Sequence, residues 1–453
     1  MSTIELAPYQ IDAFHFLINN ERAGLWDWPG VGKSYPAIEA LYHNSNESWV
    51  KPDLVVAPKH LVPNWKHYMA QYGLPSIELH SDMPIPPEDY IGLCSYEHVT
   101  KYIENLLGND MDGNNWYGTL ICDESHYLKN GRTKRAKAID SLSEICGNFY
   151  QLTGTPVTRS ASDLYNQLYL MDPKRFPNYY KFINYWCVIQ ETPFGIKPLH
   201  IKKKRRKELQ ELLKNYVLRR RFSDIPELSE LKHSIEPIYV ELKEDVLKKY
   251  RRVYNQWKYE FEEEYHEITG GGARTFYLRK FLYQVDHSEA LNLNNYKSDF
   301  LKEFQKAQSA PFIVFTKYIE AAKLAAKALN TPFILTGETP ADKRFELIQN
   351  WKIASSKPLH DRNPVNIPLV ATIGSVGQGL NLQYASTCVF YEFDYSAAMN
   401  TQAIGRLLRR GQENPVNAYF LITKDTIEED IYDKYLSRIR ADKEFDEILN
   451  AAN

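Results

Sequence analysis

Short apolar runs rich in β-branched residues and closed by polar turns recur along the chain: Leu54 to Ala57, Thr119 to Cys122, Phe149 to Leu152, Phe312 to Phe315, Leu369 to Ile373, Cys388 to Phe393 and Ala418 to Ile422. Apolarity that is continuous rather than alternating marks strands buried on both faces. Segments with helical spacing lie between several of them, such as Ile319 to Leu329 and Ala398 to Arg410. Strand and helix in alternation predict an α/β fold built on parallel sheets. Two such blocks are present, residues 1–190 and 290–453. Residues 191–289 between them are charged and helix-favouring, without convincing strands, and are interrupted by Gly270-Gly271-Gly272. They predict a helical insertion with a mobile loop.

Composition adds bounds to that picture. With 453 residues, 43% hydrophobic and 25% charged, the chain can bury large cores, and at roughly 100 to 200 residues per domain it predicts two or three domains. Disordered, collagenous and coiled-coil proteins are excluded. The 55 Lys+Arg and 57 Asp+Glu leave a net charge of -2, so no global basic excess draws the chain to polyanions. From Lys197 to Arg221, however, 11 basic residues face only Glu208 and Glu211. The centre of this segment is Lys202, Lys203, Lys204, Arg205, Arg206 and Lys207, followed by Arg219, Arg220 and Arg221. A solvated helix face normally interleaves more acids, and contact with a phosphate backbone is the competing reading. Five cysteines without a C-x-x-C pair predict neither a zinc site nor a disulfide framework and suit a reducing compartment. There is no signal-peptide pattern at Met1 to Glu5 and no apolar run of roughly 18 residues, so the expectation is a soluble, intracellular protein that does not enter a membrane. The 32 tyrosines are spread evenly, which fits core and interface positions better than base stacking.

Four short motifs carry the chemistry. Gly30-Val31-Gly32-Lys33-Ser34 follows Leu25-Trp26 and precedes the helix-like Ala37 to Tyr42. It is a loop-to-helix context whose backbone N–H groups can cradle phosphates, with Lys33 reaching the β and γ phosphates and Ser34 binding Mg²⁺. The G-x-x-x-x-G-K-S pattern fails only at its first position, Asp27, and the bland alternative is a glycine turn beside a surface lysine. Asp123-Glu124-Ser125-His126 ends the apolar run Thr119 to Cys122 and puts adjacent carboxylates at a strand's carboxyl edge. There Asp123 can hold Mg²⁺ and Glu124 can activate the water that attacks a γ-phosphate; an acidic surface turn is the alternative. Leu152-Thr153-Gly154-Thr155-Pro156 suits a tight turn able to sense the nucleotide site through His126. In Gln402 to Gln412, Arg406 and Arg409 are three apart, hence expected on one helix face. Set across a cleft from the first block they would act as arginine fingers; a basic surface helix is the alternative.

With these motifs the chain resembles the Swi/Snf-type ATPases of helicase superfamily two over nearly its whole length. Leu6-Ala7-Pro8-Tyr9-Gln10 is similar to the family's adenine-reading entry, with Gln10 as the base contact. Leu54 to Pro58 with Asn64-Trp65 resembles its first DNA-contacting motif, next to Lys59, and Ser95-Tyr96-Glu97 the following one. Asp123 to His126 with Lys129-Asn130 resembles its variant DEAH box, and Leu152 to Pro156 its third motif. Ile313 to Thr316, Gly377-Gln378-Gly379 to Leu382, and Gln402 to Gln412 resemble motifs four, five and six, while Leu218-Arg219-Arg220 and Leu278-Arg279-Lys280 through His287 fall where the family has its helical protrusions and the start of its second lobe.

The resemblance implies two RecA-like parallel-sheet lobes, 1–190 and 290–453, with the helical insertion 191–289 between them. It implies ATP and Mg²⁺ as cofactors, with Gln10, Gly30, Gly32, Lys33, Ser34 and Gln402 around the nucleotide. His126, Thr153, Thr155, Gly377 and Gly379 would couple the site to DNA, which Lys59, Thr316 and the Lys202 to Lys207 run would contact. Three departures stand out: Trp28-Pro29 replaces an acidic-Met pair, Ser375-Val376 an Ala-Gly pair, and Tyr395-Ser396-Ala397 a Trp-Asn-Pro triplet. With no chromatin-reading, nuclease or zinc module alongside the motor, the expectation is a divergent, minimal, monomeric member of bacterial or phage type, acting in the cytoplasm. Its activity would be ATP-driven translocation on double-stranded DNA. The rivals are a strand-separating helicase and a non-hydrolysing DNA-binding scaffold.

Overall fold

Each of the seven apolar runs contains a strand in the computed structural model, which describes residues 5–47, 52–108, 117–157, 160–193, 195–230, 232–261, 264–287, 296–356, 367–376, 380–409 and 411–450. The chain forms two compact units, Met1–Glu230 with Arg438–Asn453, and Leu231–Ser437.

In the first unit the strands are β1 (Arg22–Leu25), β2 (Asp53–Ala57), β3 (Ser76–Glu78), β4 (Ile91–Ser95), β5 (Tyr117–Asp123), β6 (Cys146–Leu152), the pair β7 (Cys187–Thr192) and β8 (Gly195–Ile201), and β9 (Val217–Leu218). Seven of them form a sheet in the order β3-β4-β2-β5-β6-β1-β9, parallel at every pairing. β7 and β8 form a separate antiparallel hairpin. The continuous apolarity of β2 has a direct cause. Val55 and Ala57 enter one core with the helices Pro8–Ile18, Ser34–Glu47 and Val62–Gln71, while Leu54 and Val56 enter another with Tyr96, Val99, Ile139 and Leu142. Both faces are covered, so neither tolerates a polar alternation.

The second unit holds β10 (His233–Val240), β11 (Lys258–Phe261), β12 (Glu264–Glu267), β13 (Phe312–Thr316), β14 (Ile334–Leu335), β15 (Leu369–Thr372), β16 (Thr387–Phe390) and β17 (Val416–Thr423). Its sheet runs β10-β17-β16-β13-β15-β14, again all parallel. The helices Glu244–Gln256 and Gly271–His287 pack together around Val246, Tyr250, Leu278 and Phe281 in a core of their own beside the antiparallel pair β11–β12.

Residues 191–289 thus contain the expected helices, but strands as well. β10 is the largest of these, eight residues long and parallel to β17. It is an edge strand with one solvated side, so it can carry Glu236 and Pro237 without breaking the sheet, and its apolar signal is correspondingly weak. The glycine triplet is not a loop: Gly270 turns the chain at φ 91° and Gly271 begins the helix Gly271–His287. The five cysteines are all buried and unbridged. Among the described residues no helix is long and apolar enough to cross a membrane.

Candidate functional site

β5, β6 and β1 are neighbours in the first sheet, and because all run parallel, the loops leaving their carboxyl ends gather at one edge. Those loops are Asp123-Glu124, Thr153 to Pro156, and the glycine loop 26–33.

In the glycine loop, Gly30 and Gly32 sit at φ 90° and 92°, a left-handed conformation that a side chain would strain. A Cβ on Gly32 would also lie 2.7 Å from Gln10 Nε2. Gln10 is buried; its Nε2 donates to the Gly32 carbonyl at 3.3 Å and its Oε1 accepts from Ala7 N at 3.0 Å, while Tyr9 Oη donates to the Val31 carbonyl at 3.0 Å. The start of the first helix is thereby fastened to the loop. Lys33 Nζ donates to the carbonyls of Asp27 and Trp28 at 2.7 and 3.1 Å. Burial pulls the Lys33 ammonium below the ordinary lysine value, against the opposing fields of Glu124, Asp27 and Asp123. Ser34 follows as the first residue of the helix Ser34–Glu47.

Asp123 ends β5 with its Oδ2 accepting from Trp65 Nε1 at 2.8 Å, its Oδ1 from Glu124 N at 2.9 Å, and its carbonyl from Tyr96 Oη at 2.8 Å. Burial, reinforced by Glu124, pushes its carboxyl up to about 6, while the Trp65 N–H and Lys33 favour the ionised form. Glu124 stands at φ 51°, ψ 48°, a left-handed conformation costing a non-glycine residue on the order of 1 kcal/mol or more. His126 Nδ1 lies 3.2 Å from Glu124 Oε2 and 3.1 Å from Thr153 Oγ1, and Thr153 Oγ1 accepts from Thr155 N at 3.2 Å. One imidazole therefore touches both Glu124 and the third-motif turn. Ser34 and Asp123 offer a hydroxyl and a carboxylate oxygen, a donor set that fits Mg²⁺, which keeps water and phosphate oxygens as its remaining ligands. Among the described residues no group of three or more His, Cys, Asp or Glu forms a cage of its own.

Two supports come from Leu218-Arg219-Arg220, which lies at the end of β9 beside the glycine loop and not in a helical protrusion. Arg220 Nη2 and Nε donate to Asp27 Oδ2 and Oδ1 at 2.6 and 3.2 Å, its backbone N donates to Asp27 Oδ1 at 2.8 Å, and its Nη1 donates to the Tyr9 carbonyl at 2.6 Å. Arg219 Nη1 donates to the carbonyls of Trp26 and Gly154 at 2.9 and 3.3 Å. The arginines at the end of the basic segment thus bind the glycine loop rather than a surface ligand, and Arg221 pairs with Asp224. Asp27, at the one position where the loop pattern fails, was the available signal.

The remaining residues fall elsewhere. Arg406 and Arg409 do not share a helix face: the helix Ala397–Ile404 stops at Gly405, and both arginines lie in the turns beyond it. Arg409 Nε there donates to the Gly405 carbonyl at 3.1 Å, and Gln402 is half-buried in the helix itself. Thr316 is fully buried with its hydroxyl donating to the Tyr318 carbonyl at 3.2 Å, so its side chain serves the turn and is closed to a DNA backbone. Gly377 and Gly379 lie outside the described residues. Ser375, an unusual residue in that motif, is buried and donates to the Leu335 and Thr372 carbonyls at 3.0 and 2.7 Å. Lys59, Lys203, Lys204 and Lys207 are exposed. Lys202 Nζ donates to the Asn184 carbonyl and Arg205 is held by Glu208 and Tyr185 at 2.7 Å each, whereas Arg206 is half-buried.

Residues 9–297 match the SNF2-related domain family and residues 296–411 the helicase conserved C-terminal domain. The chain is 23% identical over 438 residues to the bovine (Bos taurus) DNA annealing helicase and endonuclease ZRANB3, covering 94% of this chain and 39% of that protein. It is 26% identical over 452 residues to the Caenorhabditis elegans homolog of SWI/SNF-related matrix-associated actin-dependent regulator of chromatin subfamily A-like protein 1, covering 94% and 59%. It thus spans between two-fifths and three-fifths of the length of these relatives. Among solved structures it is similar to the Sulfolobus solfataricus SWI2/SNF2 ATPase core in complex with dsDNA, at 22% identity and a TM-score of 0.44, with 99% of this chain and 93% of that one covered.

Proposed function

The chain belongs to the SNF2-related family, and from that premise we propose that it is a DNA-dependent ATPase that moves along double-stranded DNA without separating its strands, remodelling DNA or DNA–protein complexes as it does so. The observation that carries the catalytic half is the meeting of Lys33, Asp123 and Glu124 at one sheet edge, with His126 between Glu124 and Thr153. The glycine loop and Lys33 bind the β and γ phosphates, and Gln10 reads the adenine. Ser34 and Asp123 would hold Mg²⁺, which would supply charge neutralisation at the phosphates. Glu124 orients water and takes its proton as the oxygen adds to the γ-phosphorus and the bond to the bridging oxygen breaks. By the family pattern alone, Arg406 and Arg409 would offset the charge that develops on a transferred group, and Gln402 would contact the nucleotide. His126 relays the state of Glu124 to Thr153 and Thr155, and Gly377 and Gly379 belong to the same coupling.

The DNA half rests on family membership and on the exposed lysines. Lys59, Lys203, Lys204 and Lys207 can meet phosphates, which positions a duplex without reading its sequence. Measuring ATP turnover with duplex, single-stranded, forked and RNA cofactors tests the reading. Duplex DNA is expected to stimulate most. Equal stimulation by all would favour a strand-separating helicase, and no turnover with any would leave a DNA-binding scaffold.

A further inference from the structure

Asp27 is 1% exposed and its own carbonyl accepts a hydrogen bond from Lys33 Nζ, so a buried carboxylate and the phosphate-seeking ammonium share one short loop. The field of Asp27 reaches that ammonium. Left unpaired, a carboxylate so placed must either take up a proton or turn to pair with Lys33, since a lone buried charge is strongly disfavoured. Arg220 stands in the way of that pairing. Its guanidinium and backbone N–H together give Asp27 three hydrogen bonds, two to Oδ1 and one to Oδ2, and its Nη1 anchors to the Tyr9 carbonyl. The grip on the two carboxylate oxygens is fork-shaped, a geometry that lysine cannot reproduce. Arg220 is carried to this place by β9, whose Leu218 carbonyl accepts from Trp26 N at 2.8 Å, and its own carbonyl accepts from Trp28 N at 3.0 Å.

We infer that Arg220 is a positioning residue for nucleotide binding: it occupies the Asp27 carboxylate and so keeps the Lys33 ammonium available to phosphate. The inference rests on the reading of Lys33 as the phosphate-binding lysine. It assigns Arg220 no contact with the nucleotide, and it makes a demand that a simple structural strut would not meet. If Arg220 acts through Asp27, then once the carboxylate is neutralised the arginine becomes dispensable for binding.

The test is calorimetric titration of the full chain with Mg²⁺ and ATPγS, for wild type, Arg220→Gln, Asp27→Asn and the double variant, with circular dichroism to establish folding. Arg220→Gln is expected to weaken binding about tenfold or more, as Lys33 is drawn to the freed carboxylate. The double variant is expected to bind within about threefold of Asp27→Asn alone, and more tightly than Arg220→Gln. Should Arg220→Gln fail to fold, the comparison of Asp27→Asn with the double variant decides by itself. A double variant as weak as Arg220→Gln, or about tenfold weaker than Asp27→Asn, overturns the inference, as does an Arg220→Gln that binds like wild type. A wild type that binds no nucleotide would overturn the ATP reading itself, and this inference with it.

Discussion

Gly154 has no room for a side chain, because a Cβ there would lie 2.7 Å from Pro29 Cγ and 3.0 Å from Pro29 N. Pro29 is one of the residues that depart from the family pattern, and this contact shows what it does: it seats the glycine loop directly on the third-motif turn. Gly154→Ala must push two backbones apart, and overpacking of this kind costs about 1 to 3 kcal/mol. Its melting temperature should fall and its KM for ATP should rise, measured side by side with wild type; an unchanged pair of values would mean the contact is not rigid. Glu124→Gln should keep nucleotide binding yet lose hydrolysis, whereas Lys33→Ala should weaken binding too, so that titration and turnover separate the two roles. Near-normal turnover in either variant would sink the site assignment. Lys33, Asp123 and Glu124 could be picked out in the sequence as candidates because their patterns are local in the chain. Trp65 and Arg220 are legible only as parts of other motifs, and their contacts are hidden: they reach Asp123 and Asp27 across 58 and 193 positions, a proximity that only folding creates.

At the scale of elements, most strands buried on both faces were legible, β1 and β4 excepted, and half-exposed ones were not. β2, β13 and β15 are buried at every position and apolar at all but one end, whereas β10 at a sheet edge and the β7–β8 hairpin keep charged and polar positions. Helix ends were also hidden: the pattern Ala398 to Arg410 continues past Ile404, where the chain in fact leaves the helix at Gly405. The basic segment divides along the same lines. Arg219 and Arg220 are spent on the glycine loop and Arg205 on Glu208 and Tyr185, which leaves Lys203, Lys204 and Lys207 exposed before and within the helix Arg206–Leu213. Changing these three to Gln should flatten the dependence of duplex affinity on salt by about 0.9 per lost phosphate contact on logarithmic axes. Fluorescence anisotropy at several salt concentrations reads this directly. Superimposable slopes would return the segment to a solvated helix face.

For the molecule as a whole, the net charge of -2 bears on how DNA would be held under the proposed function. A chain without overall attraction to a polyanion must grip through local clusters, and phosphate contacts of that kind fix register while reading no sequence. Such a grip can be released and remade along an intact duplex, because it asks nothing of the base stack. Strand separation would demand more at every step, about 1.4 kcal/mol for each base-pair step unstacked, and needs a feature that inserts between strands. The two functions therefore diverge on substrates that differ only in what lies ahead of the protein. A duplex carrying a third strand in its major groove offers a roadblock that tracking alone removes; a forked duplex offers one that only separation removes. With ATP, the protein should displace the third strand and leave the fork intact, and Glu124→Gln should do neither. Release of the forked strand at a comparable rate would establish separation instead, and an ATP-independent loss of the third strand would show binding without movement.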